Sequence, residues 1–232
     1  KINRFENVEK VTPKNGKFIV QTDKDTYETP YVVIATGYYD HPNYMNIPGE
    51  ELPKVHHYFK EGHPYFDTDV LIIGGKNSAI DAGLALYKAG ARVTVVYRGS
   101  EYSSSIKPWV LPDFAALARD GEINMMFNTN VKEIKEDEVI LTKDGQETTI
   151  KNDYVFAMTG YHPDHTFIQE MGVTEDLETG RPTFDPETME TNVPGLFIAG
   201  VIAAGNNANE IFIENGRFHG ELIAKCIQGK QK

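Results

Sequence analysis

The sequence predicts an α/β protein built from two nested Rossmann-like domains, one inserted into the other. Three observations carry that prediction. Val70-Leu71-Ile72-Ile73, a Gly-Gly turn, the stretch Ser78 to Lys88 and Val93-Thr94-Val95-Val96 spell one βαβ unit. Ala35-Thr36-Gly37 and Met158-Thr159-Gly160 each close an apolar run, one on either side of that unit. Near the end of the chain Leu196-Phe197-Ile198-Ala199 closes in the same way at Gly200.

Taken in order, the chain opens with strand signals at Val8 to Val11, Lys17 to Thr22 and Tyr31 to Ala35. Asn15-Gly16 between the first two is a hairpin signal. Val32 to Ala35 is continuously apolar, as in a strand covered on both faces. The Pro- and Tyr-rich stretch from Tyr38 to Pro53 reads as a linker. Ala79, Ile80, Ala82, Leu84, Ala85 and Leu86 give the first long helix its apolar face, and Gly90 stops it. A second helix runs from about Pro112 to Arg119. Short strands follow at Ile123 to Phe127, Val131 to Ile134, Val139 to Thr142 and Thr148 to Ile150, with Asp144-Gly145 as the last turn. Tyr154 to Met158 is another buried strand. The final element is a helix from about Glu210 to Cys226, preceded by a Gly- and Asn-rich loop at 203–209.

The totals narrow the function. Against 23 Lys and Arg stand 34 Asp and Glu, a net charge of −11. An acidic chain repels phosphate backbones at long range, so no nucleic-acid partner is expected. No apolar run reaches the roughly 18 residues of a membrane span, so no membrane partner is expected either. The one cysteine, Cys226, excludes an intrachain disulfide and suits a cytoplasmic setting. It sits among Ile223, Ala224 and Ile227, which suits a structural thiol better than a nucleophile.

The strongest motif is Gly74-Gly75-Lys76-Asn77-Ser78-Ala79. It follows a strand and opens a helix, the context of a dinucleotide fingerprint. Gly74 permits the tight turn, Ala79 permits close helix–strand packing, and the N–H groups of residues 77–79 face an anion at the helix start. Lys76 stands where a third Gly is usual. An ordinary tight turn is the alternative. The second strand ends in Tyr97-Arg98, where an NAD site would place a carboxylate for the ribose. Arg98 suits a 2′-phosphate, Tyr97 offers a ring for adenine and Lys107 adds charge, so NADPH is expected. A solvated surface arginine is the alternative.

These motifs, with Val96-Tyr97-Arg98, Thr159-Gly160-x-x-Pro163 and Val193-Pro194-Gly195-Leu196-Phe197-Ile198-Ala199-Gly200, resemble the thioredoxin-reductase-like flavoproteins across essentially the whole chain. Within them, Gly-Gly-Lys-Asn-Ser-Ala at 74–79, His57-Tyr58, His63-Pro64-Tyr65 and Gly200 to Asn206 most resemble the YpdA family of bacillithiol disulfide reductases. The resemblance implies FAD and NADPH as cofactors and a low-molecular-weight disulfide, bacillithiol disulfide, as the small-molecule substrate. It places residues 1–39 and 162–232 in an FAD-binding domain and 40–161 in an inserted NADPH-binding domain. It assigns NADPH to Gly74, Gly75, Lys76, Asn77, Ser78, Ala79, Tyr97, Arg98, Thr159 and Gly160. It assigns FAD to Val8, Ala35, Thr36, Gly37, Gly200, Val201 and Ile211, with the start of the last helix facing the flavin. A cytoplasmic homo-oligomer without a metal is expected.

The sequence departs from that pattern in three places. Residues 50–68 lack the Cys-x-x-Cys of thioredoxin reductases. Val201 follows Gly200 where an Asp usually holds the ribityl chain; Asn206 or Asn207 is the expected substitute. The strand–Gly-rich loop–helix that holds the FAD pyrophosphate in relatives is not found ahead of Val8, so the FAD domain is expected to be incomplete at its N-terminus and any nucleophilic thiol to lie in that segment. His56, His57 and Tyr58, near the position of the relatives' dithiol, are candidate proton donors, or plain polar residues of a connector. A ferredoxin- or flavodoxin-type NADP reductase, a flavin monooxygenase and an NADPH-sensing module are the alternatives.

Overall fold

The computed structural model describes residues 1–207 and 210–231. The chain forms two compact units, one of Lys1–His41 and Tyr161–Lys232, the other of Pro42–Gly160.

The first unit opens with an antiparallel meander of β1 (Val8–Lys14), β2 (Lys17–Thr22) and β3 (Thr26–Thr29). Asn15 and Gly16 both take positive φ, 51° and 74°. That pair suits the two-residue hairpin turn that matches strand twist. β4 (Val32–Ile34) follows and leads into Ala35-Thr36-Gly37. Contrary to the expectation of a strand covered on both faces, Val33 is 45% exposed while Ile34 is buried. The alternation of exposed Val33 with buried Ile34 shows that one face of β4 is packed and the other open, and among the described residues β13 is its one strand partner, which leaves an edge unpaired.

The second unit holds β5 (Val55–His56), β6 (Asp69–Ile73), α1 (Asn77–Lys88), β7 (Arg92–Val96), α2 (Leu111–Arg119), β8 (Ile123–Met126), β9 (Thr129–Ile134), β10 (Glu138–Lys143), β11 (Gln146–Lys151) and β12 (Tyr154–Ala157). Five of these strands make one parallel sheet in the order β5-β12-β6-β7-β8. Leu71 and Ile72 of β6 are fully buried. α1 lays Ala79, Ile80, Ala82 and Leu86 against the sheet core, a helical spacing. Each large side chain so buried contributes about 1.5–3 kcal/mol. Gly83 is where α1 meets α2: a β-carbon there would stand 2.9 Å from the Phe114 ring. β9, β10 and β11 form a second antiparallel meander, with Asp144 and Gly145 at positive φ in the last turn. In both units, then, a three-stranded meander precedes the strand that ends in Thr-Gly.

The chain returns to the first unit through α3 (His165–Glu170), β13 (Leu196–Ile198), α4 (Ile213–Gly216) and α5 (His219–Lys230). β13 runs parallel to β4, with Leu196 opposite Val32 and Ile198 opposite Ile34. The single final helix expected from Glu210 to Cys226 is broken. Asn215 accepts the Phe212 N–H at 2.7 Å and donates to the Glu210 carbonyl at 2.9 Å, closing a short turn ahead of Gly216. The long helix starts only at His219, and Ile213 is 85% exposed rather than part of an apolar face. Ile211, Leu222 and Ile223 do join the core.

Candidate nucleotide site

In the five-stranded sheet, β6 is flanked by β7 on one side and β12 on the other, so the strand order reverses between β6 and β12. A crevice beyond the carboxyl ends of two such strands is where an open α/β sheet receives a ligand. Gly74 ends β6 at φ 139°, and a β-carbon there would run into the carbonyl oxygen of Met158, just past β12. The same β-carbon would touch the Ala79 methyl at 3.4 Å. Gly74 is thus required twice over, by its conformation and by the closeness of the two strand ends.

Gly75 has a different reason to be glycine. A β-carbon there would collide with the ring of Tyr97, and so would one on Gly99. Tyr97 therefore packs against the Gly-rich turn, half-buried, as a wall of that turn. Beyond it Arg98 is exposed and has no ion-pair partner among the described residues. Lys107 does have one, Asp81 at 3.8 Å, so its charge is partly offset.

At the start of α1 the expected trio of open amides is reduced. The Ala79 N–H donates to the Lys76 carbonyl at 3.1 Å. Asn77 and Ser78 occupy the first two helical positions, whose N–H groups have no carbonyl within the helix to meet. The Asn77 side chain turns to the neighbouring loop, donating to the Ser105 carbonyl at 3.0 Å and accepting the Lys107 N–H at 2.9 Å. Lys76 and Ser78 are exposed.

Across the crevice, Thr159 and Gly160 are fixed by Asn43. The Thr159 hydroxyl donates to the Asn43 carbonyl at 2.6 Å, the Asn43 amide donates to the Thr159 carbonyl at 3.3 Å, and the Asn43 N–H donates to Gly160 at 2.9 Å. Thr159 therefore shapes the backbone with its hydroxyl already engaged. Asn43, 116 positions away, carried no sequence signal.

In the first unit, Ala35 and Thr36 are exposed at the end of β4, and Gly37 and Gly200 take φ of 72° and 77° with open space where a β-carbon would sit. Val8 is 43% exposed at the start of β1, Val201 is half-buried in a 3₁₀ turn and Ile211 packs into the core. The Gly200 N–H donates to His219 Nδ1 at 3.1 Å. Burial holds His219 below the usual histidine range, which suits a neutral ring with its proton on Nε2. Asn206, an expected substitute for the ribityl-binding Asp, instead meets His165 Nε2 through Oδ1 at 3.0 Å, while His165 Nδ1 meets Glu175 at 2.7 Å. Asn207 contacts Glu210 at 3.2 Å.

The family model for pyridine nucleotide-disulphide oxidoreductases matches residues 1–200. The chain belongs to that family. It is 67% identical over 219 residues to bacilliredoxin reductase Bdr of Bacillus subtilis (strain 168), a match covering 94% of this chain and 68% of the relative. Among solved structures, bacillithiol disulfide reductase Bdr (YpdA) from Bacillus cereus superposes with a TM-score of 0.98 at 63% identity, over 99% of this chain and 72% of that one. Its Staphylococcus aureus counterpart gives 0.96 at 56% identity, over 100% and 72%. As a pyridine nucleotide-disulphide oxidoreductase, the chain is part of a flavoprotein disulfide reductase that uses FAD and NADPH.

The residues present fit the family's pyridine nucleotide. The turn at Gly74-Gly75 lacks β-carbons where the strand ends meet, amides open at the first turn of α1, and Arg98 offers an uncommitted guanidinium. They fit FAD in part: Gly37 and Gly200 leave open backbone, but no second Gly-rich strand–helix turn occurs among the described residues of the first unit. His56 is packed among Tyr65, Tyr154 and Phe156, with ring centroids 5.4–6.3 Å apart, and burial pushes its pKa below the usual range. Half-buried among these rings and held toward its neutral form, His56 is less suited to donating a proton than an exposed histidine. His57 lies 3.7 Å from Glu50 and edge-on to Tyr44; Tyr58 is half-buried beside it. Glu50 in turn accepts the N–H groups of Met45 and Asn46 at 2.8 and 2.6 Å, so this region serves to fold the connector. Cys226 is half-buried on α5 against the core, and Lys230, one turn on, is paired with Glu190 at 2.7 Å. Among the described residues no cluster of His, Cys, Asp and Glu could hold a metal, and no helix is long and apolar enough to cross a membrane.

Proposed function

We propose that this chain supplies the NADPH site and part of the FAD site of an enzyme that reduces bacillithiol disulfide. The likeness of the entire chain to the Bdr proteins is the observation that carries the substrate. The strand-order reversal at Gly74 supports NADPH in the second unit, and the open glycines 37 and 200 support FAD in the first.

Bound in these sites, NADPH and FAD would supply the hydride and the electron pair that, with a further proton, convert the disulfide to two thiols. The protein's own part is positional. Gly74 lets the pyrophosphate approach the backbone, and the amides of Asn77 and Ser78 receive its charge with the helix dipole behind them. Arg98 selects the 2′-phosphate as a permanently charged, planar cation. His219 holds the Gly200 backbone at the strand end. With a single cysteine, this chain contains no dithiol relay.

The name of the Bacillus subtilis relative favours a second substrate, the disulfide form of a bacilliredoxin. Anaerobic reoxidation of the NADPH-reduced enzyme by each disulfide distinguishes them. Reoxidation by neither would refute the proposal.

A further inference from the structure

The loop that follows β7 runs from Arg98 at the strand end back to the first turn of α1. Three anchors hold it. Tyr102 packs edge-on against Phe114 and Phe127, with centroids 6.2 and 5.0 Å apart. Ile106 is buried in the core between the helices and the sheet. Asn77 receives the Lys107 N–H and donates to the Ser105 carbonyl. One turn along α1, Asp81 meets the Lys107 ammonium at 3.8 Å. Between the anchors, the Ser103 and Ser105 hydroxyls lie 2.8 Å apart, and the Ser105 N–H turns to Ser103 Oγ at 3.3 Å.

We infer that Asn77 is a positioning residue for NADP selectivity: seconded by Asp81, it holds residues 103–107, in the loop that follows Arg98, beside the start of α1 as a second wall of the 2′-phosphate site. This rests on the reading of Arg98 as the 2′-phosphate arginine. The chemistry of position 77 supports it. The loop presents one carbonyl and one N–H, so its partner must both donate and accept within a short reach. An amide side chain does both, while a carboxylate would set oxygen against the Ser105 carbonyl. Having used its donor and acceptor on the loop, Asn77 acts on the nucleotide through Ser103 and Ser105. One hydroxyl of the Ser103–Ser105 pair is spent on the other and the second stays free to donate; a hydroxyl donor on a held loop, added to a guanidinium, complements a dianionic phosphate better than the guanidinium alone.

The test is calorimetric titration of the flavin-loaded enzyme with adenosine 2′,5′-bisphosphate and with 5′-AMP, which differ by the 2′-phosphate. The parent protein should prefer the bisphosphate, and Arg98→Ala should lose that preference. Asn77→Ala should reduce the ratio of the two affinities about tenfold. If the parent shows no preference, the Arg98 reading fails and the inference with it. If Arg98→Ala loses the preference and Asn77→Ala keeps it, the inference alone is overturned. Should Asn77→Ala fail to fold, Ser103→Ala/Ser105→Ala decides: a weakened preference supports the second wall, and an unchanged one refutes it.

Discussion

Gly74 and Met158 meet at the point where the strand order of the parallel sheet reverses: the glycine's missing β-carbon is the space taken by the Met158 carbonyl oxygen. At φ 139° any other residue is strained as well. Gly74→Ala should therefore lose about 2–4 kcal/mol of stability and weaken NADPH binding. Thermal denaturation and a direct NADPH titration check both effects. An unchanged midpoint would show that the strand ends can part at no cost.

Gly75 and Tyr97 should behave as a coupled pair. The φ of Gly75 is not in the left-handed region, and the atoms nearest to a β-carbon there are those of the Tyr97 ring. Gly75→Ala should destabilise the parent by about 1–3 kcal/mol, and much less in a Tyr97→Ala background. A double-mutant cycle measures the coupling. Strict additivity would mean that the ring is not the obstacle.

Two half-buried histidines set a pH dependence. Burial favours the neutral form of His56, so its folded pKa lies below the unfolded value of about 6.5. The unfolded chain then binds more protons as pH falls through that value. The stability is therefore fully present above about pH 6.5 and is lost on acidification. His219 acts in the same direction. His56→Leu should flatten the fall in denaturant midpoint between pH 7.5 and 5.5 relative to the parent, with the remaining slope due in part to His219. An equal slope in both proteins would contradict this account of His56.

Much of the frame was legible because it depends on local chemistry. Asn15-Gly16 and Asp144-Gly145 specify their turns by conformation, and the βαβ unit declares itself through apolar runs around a glycine turn. β5 was not legible, because two residues, Val55 and His56, form a strand only when β12 is there to pair with them. The break in the last helix is not legible in the sequence because Ile211, Ile213 and Phe218 mimic a helical apolar face, while Asn215 closes a competing turn. At the nucleotide site, the motif residues were visible but their partners were not. That Tyr97 explains Gly75, that Asn77 serves the loop at 105–107, and that Asn43 holds Thr159 are relations between distant positions, and no spacing rule encodes them.

The central claim is that this chain belongs to an NADPH-dependent reductase of a bacillithiol-linked disulfide in which Cys226 takes no part. Steady-state oxidation of NADPH and NADH by the flavin-loaded enzyme tests it most directly. The acceptors are bacillithiol disulfide, oxidised bacilliredoxin and oxygen alone, in parent and Cys226→Ser proteins. The account predicts disulfide-dependent turnover with NADPH preferred and Cys226→Ser equal to the parent. Rates no higher than with oxygen alone, or activity lost with Cys226→Ser, would contradict it.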